Sequence, residues 1–278
     1  MARDRIGTAF HETFALNLAA IAAVLRVCDE YDGDLNPEAI RHESETTLGP
    51  NYVTSMTMYA RGAGLLEVGS YRLTSFGRLV RERDPNLTTL STLWMMHYHL
   101  SAPNGPGPGF WNYLITNTIR IGSTIKRSDV SRVISGYVEQ HAQKRLAPRT
   151  LDGTATAFLG TYQKSDALGR LGLICPDENG GSYEVTQPEI PLLHSVASAL
   201  TYYWDDVGPT SSELLLKDLA SQQGFAGILF LGSGMLGALF SELQSIGCVT
   251  VRRDAPPFVV MRQWTDPGDI RSSLYASE

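Results

Sequence analysis

The chain has 278 residues, 43% of them hydrophobic, a net charge of −6 and three cysteines. That is enough apolar material for two or three small cores, and too acidic a balance for a generally sticky nucleic-acid binder. Cys28, Cys175 and Cys248 stand far apart with no CxxC spacing, which excludes a disulfide framework or a cysteine zinc site and fits a reducing cytoplasm. The charged start MARDRIGTAFHETF has no apolar core of a signal peptide, and the longest mostly apolar run, 227–240, is too short and glycine-rich to span a bilayer.

In chain order, residues 10–31 read as a long helix with Phe14, Leu18, Ile21, Leu25 and Cys28 on its apolar face. A second helix opens at Pro37 behind Asn36 as its N-cap. A third starts near Pro50, places Tyr52, Met56, Tyr59, Ala60 and Ala63 on one face, and closes at Gly64. Leu65–Val68, the turn Gly69-Ser70 and Tyr71–Thr74 then read as a β-hairpin. Two helices followed by a β-wing are the plan of a winged helix-turn-helix, which lays its second helix in the DNA major groove. That helix would present Asn51, Thr54, Ser55, Met58 and Arg61 outward, with one positive charge, and Arg72 lies on the wing.

Helices are expected at 75–82 and, after the break at Asp84-Pro85, at 86–100. SAPNGPGPG (101–109) cannot be regular structure and is the best linker candidate. A weak repeat follows. Gly172-Leu173-Ile174 with Tyr183–Thr186, and Gly247-Cys248-Val249 with Phe258–Met261, echo the first hairpin. The predicted fold is therefore mainly α with small β-hairpins (α+β). Three winged-helix-like units, near 36–74, 126–187 and 210–263, are joined by packing helices at 86–100, 110–120 and 189–204. The corresponding divisions are 1–85, 86–125, 126–190 and 191–278.

Charge is uneven. Residues 120–170 carry nine basic against four acidic side chains, whereas the flanking segments are acidic. Arg120, Lys126, Arg127, Arg132, Lys144, Arg145, Arg149, Lys164 and Arg170 are what a phosphate-tracking surface needs, or else solvated helix faces.

Gly232-Ser-Gly234-Met-Leu-Gly237 is a GxGxxG, with Asp254 near the spacing of a ribose-binding acid. Only 24 residues follow Asp254 and no βαβ series precedes it, so a nicotinamide-dependent enzyme is a distant alternative. His11-Glu12 does not continue to HExxH, and His97 and His99 point to different sides of a helix. Packing histidines are the plainer reading of both. Asp29, Glu30, Asp32 and Asp34 crowd a helix end that could hold Mg²⁺ or Mn²⁺ but lack an EF-hand loop; a solvated turn is the commoner outcome.

AFHETFALNL (9–18), the NPEAI…LGPNYV…GLLE run (36–67), YRLTSFGRLV (71–80) and LWMMHYHLSA (93–102), with GRLGLI and Tyr202–Trp204 later, resemble a bacterial domain-of-unknown-function family, number four thousand and seven. The resemblance covers nearly the whole chain, although Pro50, Thr54 and Thr57 stand where its pattern often carries Lys or Arg. Members sit in DNA phosphorothioation and phage-defence loci. The implied role is the nicking component of the Ssp single-strand phosphorothioation system, beside a cysteine desulfurase, an ATP pyrophosphatase and an ATPase. It implies DNA as substrate; cutting a phosphodiester calls for Mg²⁺ or Mn²⁺ with no organic cofactor, and the composition already gives a cytoplasmic location and no membrane partner. A homodimer and a non-catalytic adaptor that recruits the modification complex are both compatible. On this resemblance His11, Glu12, His97 and Tyr98 are the candidate catalytic residues, with His97 as base and Glu12 holding metal or orienting a histidine.

Overall fold

A computed structural model describes residues 7–43, 49–142, 145–177, 180–188 and 192–276. Among these residues the fold is mixed α+β, with helices dominating and two small antiparallel sheets of three strands each. It opens with turns at 8–13. Helix α1 (Leu18–Glu30) starts later than its hydrophobic periodicity suggests, because Asn17 Oδ1 accepts the Ala20 N–H and sets the start there. Helix α2 (Pro37–Glu43) opens behind Asn36, whose side chain accepts the Ala39 N–H at 2.8 Å. Helix α3 (Pro50–Gly62) is followed by Gly64 at φ +75°, the left-handed position a helix exit favours.

The hairpin expected at 65–74 is reduced to a single bridge, Leu66 opposite Leu73, flanked by Glu67 N–H to Arg72 O and Thr74 N–H to Leu65 O. Helices α4 (Ser75–Arg83) and α5 (Leu90–Ser101) are capped by Thr74 and Thr89. Between them the buried Asp84 carboxylate accepts from the backbone N–H and the hydroxyl of both Thr88 and Thr89. The stretch after α5 is irregular, as its prolines and glycines require, yet Ala102, Gly107 and Pro108 are buried. Gly107 lies so close to the Leu100 carbonyl that any side chain would collide with it. Helix α6 (Gly109–Tyr113) runs into a π-helical turn (Leu114–Thr118) rather than one helix to residue 120.

The rest of the chain repeats one topology twice. Strand β1 (Thr124–Ile125) leads into α7 (Arg127–Ala142), α8 (Pro148–Gln163), β2 (Ile174–Pro176) and β3 (Tyr183–Val185). After α9 (Leu193–Val207) come β4 (Glu213–Leu215), α10 (Leu216–Leu219), α11 (Phe225–Ile228), α12 (Ser233–Ser245), β5 (Val249–Arg252) and β6 (Val259–Arg262). In both sheets the last strand of the hairpin lies in the middle, paired on its far side with the strand that precedes the helices: β1-β3-β2 and β4-β6-β5. Each hairpin falls where the glycine-led repeat placed it; β1 and β4 are new. Helix α13 (Pro267–Ser272) packs on α9.

Gly232 caps α12, but the apolar residues before it belong to α11 and its exit rather than to a strand. The glycine fingerprint therefore lacks the strand that a dinucleotide site requires.

One cluster of buried side chains runs from Phe10 to Leu274. At its centre Trp111 meets Phe158 and Tyr162 at ring-centroid distances of 4.7 and 6.0 Å. Aromatic residues of this size dominate core energetics, and here they tie α6 to α8.

Candidate nucleic-acid interface

The segment 8–16 is a clasp between α3 and α8. The Ser55 hydroxyl donates to His11 O (2.8 Å) and the Tyr59 hydroxyl to Phe14 O (3.1 Å) from one side. From the other, Thr161 Oγ1 accepts the Leu16 N–H at 3.2 Å. The His11 ring completes the clasp. Its Nδ1 accepts the Thr13 N–H at 3.0 Å, so Nε2 carries the proton and donates to Thr154 Oγ1, also at 3.0 Å. Burial pushes the His11 imidazole down to about 4, so it is neutral near pH 7. The turn this fixes holds Glu12 at φ +45° and Thr13 at φ +73°, left-handed conformations that non-glycine residues adopt only when their surroundings enforce them.

Thr13 and Ala15 from the clasp line a cleft of about 530 Å³. The other walls are the start of α7 (Lys126, Arg127, Ser128), the exposed flank of α8 (Asp152, Thr156, Gln163, Lys164) and Tyr183 of the hairpin. Its approach is close: a side chain on Gly160 would meet the Ala15 Cβ at 3.1 Å. Among the described residues, Lys126, Arg127 and Lys164 bring three positive charges to the cleft against the one carboxylate of Asp152, and all four are exposed. Asp129 accepts the Lys126 backbone N–H (3.0 Å) and pairs with Arg132 (2.8 Å), and these contacts hold its carboxyl below the usual range.

The remaining predicted DNA contacts scatter. Arg132 is tied to Asp129, Arg145 lies 3.9 Å from Glu139, and the exposed Arg170 donates to Thr88 O. Arg120 and Arg149 are exposed but do not line the cleft, and Lys144 lies outside the described residues. On α3, Asn51 and Thr54 are exposed as expected. Ser55 is not: it is fully buried, its hydroxyl spent on the His11 carbonyl. Arg61 turns back on the wing, with Nε and Nη2 donating to Ser70 O at 3.1 and 2.9 Å and its guanidinium 4.7 Å from the Tyr71 ring centre. Arg72 is exposed nearby.

The four candidate catalytic residues are not brought together. Glu12 is exposed and His11 buried beneath it. His97, at 0% exposure, sits in a hydrogen-bonded chain: Trp111 Nε1–H donates to the Tyr162 hydroxyl (2.9 Å), which lies 2.8 Å from His97 Nδ1. The other ring nitrogen, Nε2, donates to the Ile228 carbonyl at 2.7 Å, which assigns the Tyr162 proton to Nδ1. Burial drives His97 down to about 4, against the opposing bond to Ile228. Tyr98 is fully buried beside it, and burial, then Asp206, push its phenol well above the usual range.

No three His, Cys, Asp or Glu side chains among the described residues converge to hold a metal ion. Of the acidic turn, Asp29 faces Arg81 at 3.4 Å and Glu30 faces Arg26 at 3.2 Å. Nor do the described residues of the cleft, with Asp152 as their one carboxylate, fit Mg²⁺, which demands a near-octahedral set of oxygens. No helix among the described residues is long and apolar enough to cross a membrane.

Fold and cleft together define a mixed α+β protein with a small basic recess beside its N-terminal clasp. The sequence matches, over residues 9–255, the family described as Protein of unknown function (DUF4007), and the chain belongs to that family. No curated protein matches it. Two solved structures share its fold. A crystal structure of SspB has a TM-score of 0.76 at 18% identity, covering 96% of this chain and 86% of that one. A crystal structure of magnesium-ion-bound SspB has a TM-score of 0.75 at 17% identity, with the same coverage.

Proposed function

We propose that this chain is a DNA-binding component of a bacterial DNA phosphorothioate-modification and phage-defence assembly, and that the basic cleft grips backbone phosphates. The observation that carries the reading is the meeting of Lys126, Arg127 and Lys164 beside the HETF clasp. Sequence stretches quoted for the family resemblance and the basic segment thus share one surface. In this reading the three helix-and-hairpin units near 36–74, 126–187 and 210–263 are winged helices, and the second, residues 126–190 in the domain division, is the one that faces DNA. The first unit's second helix contributes little phosphate attraction, because its one arginine is held by the wing. A cysteine desulfurase, an ATP pyrophosphatase and an ATPase are the proposed partners.

Counterion release makes the test quantitative. Each phosphate contact contributes about −0.9 to the slope of log K against log salt, so Lys126→Ala/Arg127→Ala/Lys164→Ala should make it less negative by about 2.7. Fluorescence anisotropy with a labelled duplex measures it. An unchanged slope would remove the cleft from DNA binding.

The nicking role supplied by the resemblance is a second reading, favoured by the place of Glu12 beside the cleft. Of the four motif residues, Glu12 alone is exposed, next to Thr13 on the cleft wall. Glu12→Gln should therefore lower supercoiled-plasmid nicking in Mg²⁺ or Mn²⁺ without weakening duplex affinity. Full nicking by this variant would free Glu12 of any role in cutting.

A further inference from the structure

A second cavity, of about 590 Å³, lies on another part of the molecule, between the wing of the first unit, the end of α5 and the end of α9. Part of its lining comes from stretches quoted for the family resemblance: Glu67, Thr74, Tyr98, His99 and Tyr202. Nothing in the DNA reading uses it.

Two of its polar groups are left over by the fold. The Tyr98 hydroxyl and His99 Nε2 are both buried and have no hydrogen-bond partner among the described residues. A buried polar atom without a partner is costly, and sites that bind ligands are where such atoms persist. Burial, with Arg271 adding to it, holds the His99 imidazole down to about 3, so at neutral pH it offers neutral hydrogen bonding and no charge. Gly64 makes room for this ring, since a side chain there would meet it at 2.6 Å. The fixed charges lining the cavity are the carboxylates of Glu67, Asp205 and Asp206 against the one guanidinium of Arg271. That excess of negative charge opposes a phosphate or nucleotide and favours a cation.

The chain's own Arg271 shows what the wall accepts. Its guanidinium stacks 3.7 Å from the centre of the Tyr202 ring, pairs with Asp205 and donates from Nε to Thr201 Oγ1 at 2.9 Å. Aromatic faces edged by carboxylates recognise organic cations.

We propose that this cavity is a binding site for an organic cation of the alkylguanidinium or alkylammonium class, its donors directed to the Tyr98 hydroxyl, His99 Nε2 and Asp206. The proposal stands apart from DNA binding by the cleft.

Isothermal titration of the full chain with agmatine, with the blocked peptide acetyl-Gly-Arg-Gly-amide and with AMP tests it. Binding of agmatine or the peptide with a Kd below about 1 mM, and none of AMP, is the expected result. Tighter binding of the peptide identifies the cation as a partner protein's side chain; tighter binding of agmatine identifies a free small molecule. Tyr98→Phe should weaken the cation roughly tenfold, the loss of one hydrogen bond, while leaving the free protein's melting temperature unchanged or higher. No heat with either cation, a preference for AMP, or undiminished binding by Tyr98→Phe would overturn the proposal.

Discussion

His97→Ala should lose stability on the order of 4 kcal/mol, the sum of a cavity and two orphaned partners. The imidazole is fully buried between Tyr162 and the end of α11, and rings of Trp94, Tyr162 and Phe230 surround it at 5.6–5.8 Å. Truncation empties that space, takes the acceptor from the Tyr162 hydroxyl, which keeps only its bond from Trp111, and leaves the Ile228 carbonyl unpaired. Each orphaned group adds about 1–3 kcal/mol on top of the lost packing. Urea denaturation followed by circular dichroism gives the figure directly. A loss below about 1 kcal/mol would mean that the network is incidental. The same variant separates structure from chemistry. Any plasmid nicking lost by His97→Ala should follow its unfolded fraction and return on cooling, whereas a catalytic base would be missed at every temperature.

Acid should unfold the protein earlier than its carboxylates alone would. Burial holds His11 and His97 to about 4 and His99 to about 3, whereas imidazoles of the unfolded chain titrate near about 6.5. The folded values are the lower ones, so the unfolded state takes up protons first as pH falls. The stability from these three groups is whole above about pH 6.5 and drains away below it, until the folded values are reached. At about pH 5 each neutral buried histidine has lost about 2 kcal/mol, roughly 6 kcal/mol for the three, a large part of a typical total of about 5–15 kcal/mol. Denaturant midpoints from pH 7.5 to 5 should therefore drop steeply, and unfolding near pH 5 should take up close to three protons. A His99→Gln variant should take up one fewer. A flat profile down to pH 5 would show that these imidazoles are not buried neutral.

Much of the local structure could be read from local chemistry. Asn36 caps a helix where a short polar side chain precedes a proline-led start, and Gly64, Gly172 and Gly247 mark the turns into each hairpin region, whereas the cap at Thr89 starts its helix at Leu90, later than the 86 expected. Strands β1 and β4 were not legible, because two or three residues carry no alternation to detect. Ser55 misleads for another reason. A serine on a helix wheel looks like an exposed residue, and only the His11 carbonyl, 44 residues earlier, reveals that its hydroxyl is consumed in the core.

The site shows the same division. HETF and HYH stand out as words in the sequence, but the partners that fix their roles, Thr154 and Tyr162, lie 143 and 65 residues away on one helix. The basic segment was visible as a count of charges. Which of those charges converge depends on how α7 and α8 pair, and that pairing brings Lys164 to Lys126 and Arg127 while leaving Arg120 and Arg149 elsewhere. Thr13, Thr156, Gln163 and Tyr183 were not anticipated in the cleft. The one usable signal was Thr13, inside the HETF word itself.

Cross-linking reads the DNA-facing surface most directly. A duplex carrying photoreactive groups on its backbone phosphates is irradiated with the protein, and the attached peptides are located by mass spectrometry. The cleft predicts attachments at residues 126–128 and 156–164, with the clasp around Thr13 as the adjoining site. Attachments confined to helix α3, at Asn51 and Thr54, would contradict it and return DNA to the first unit.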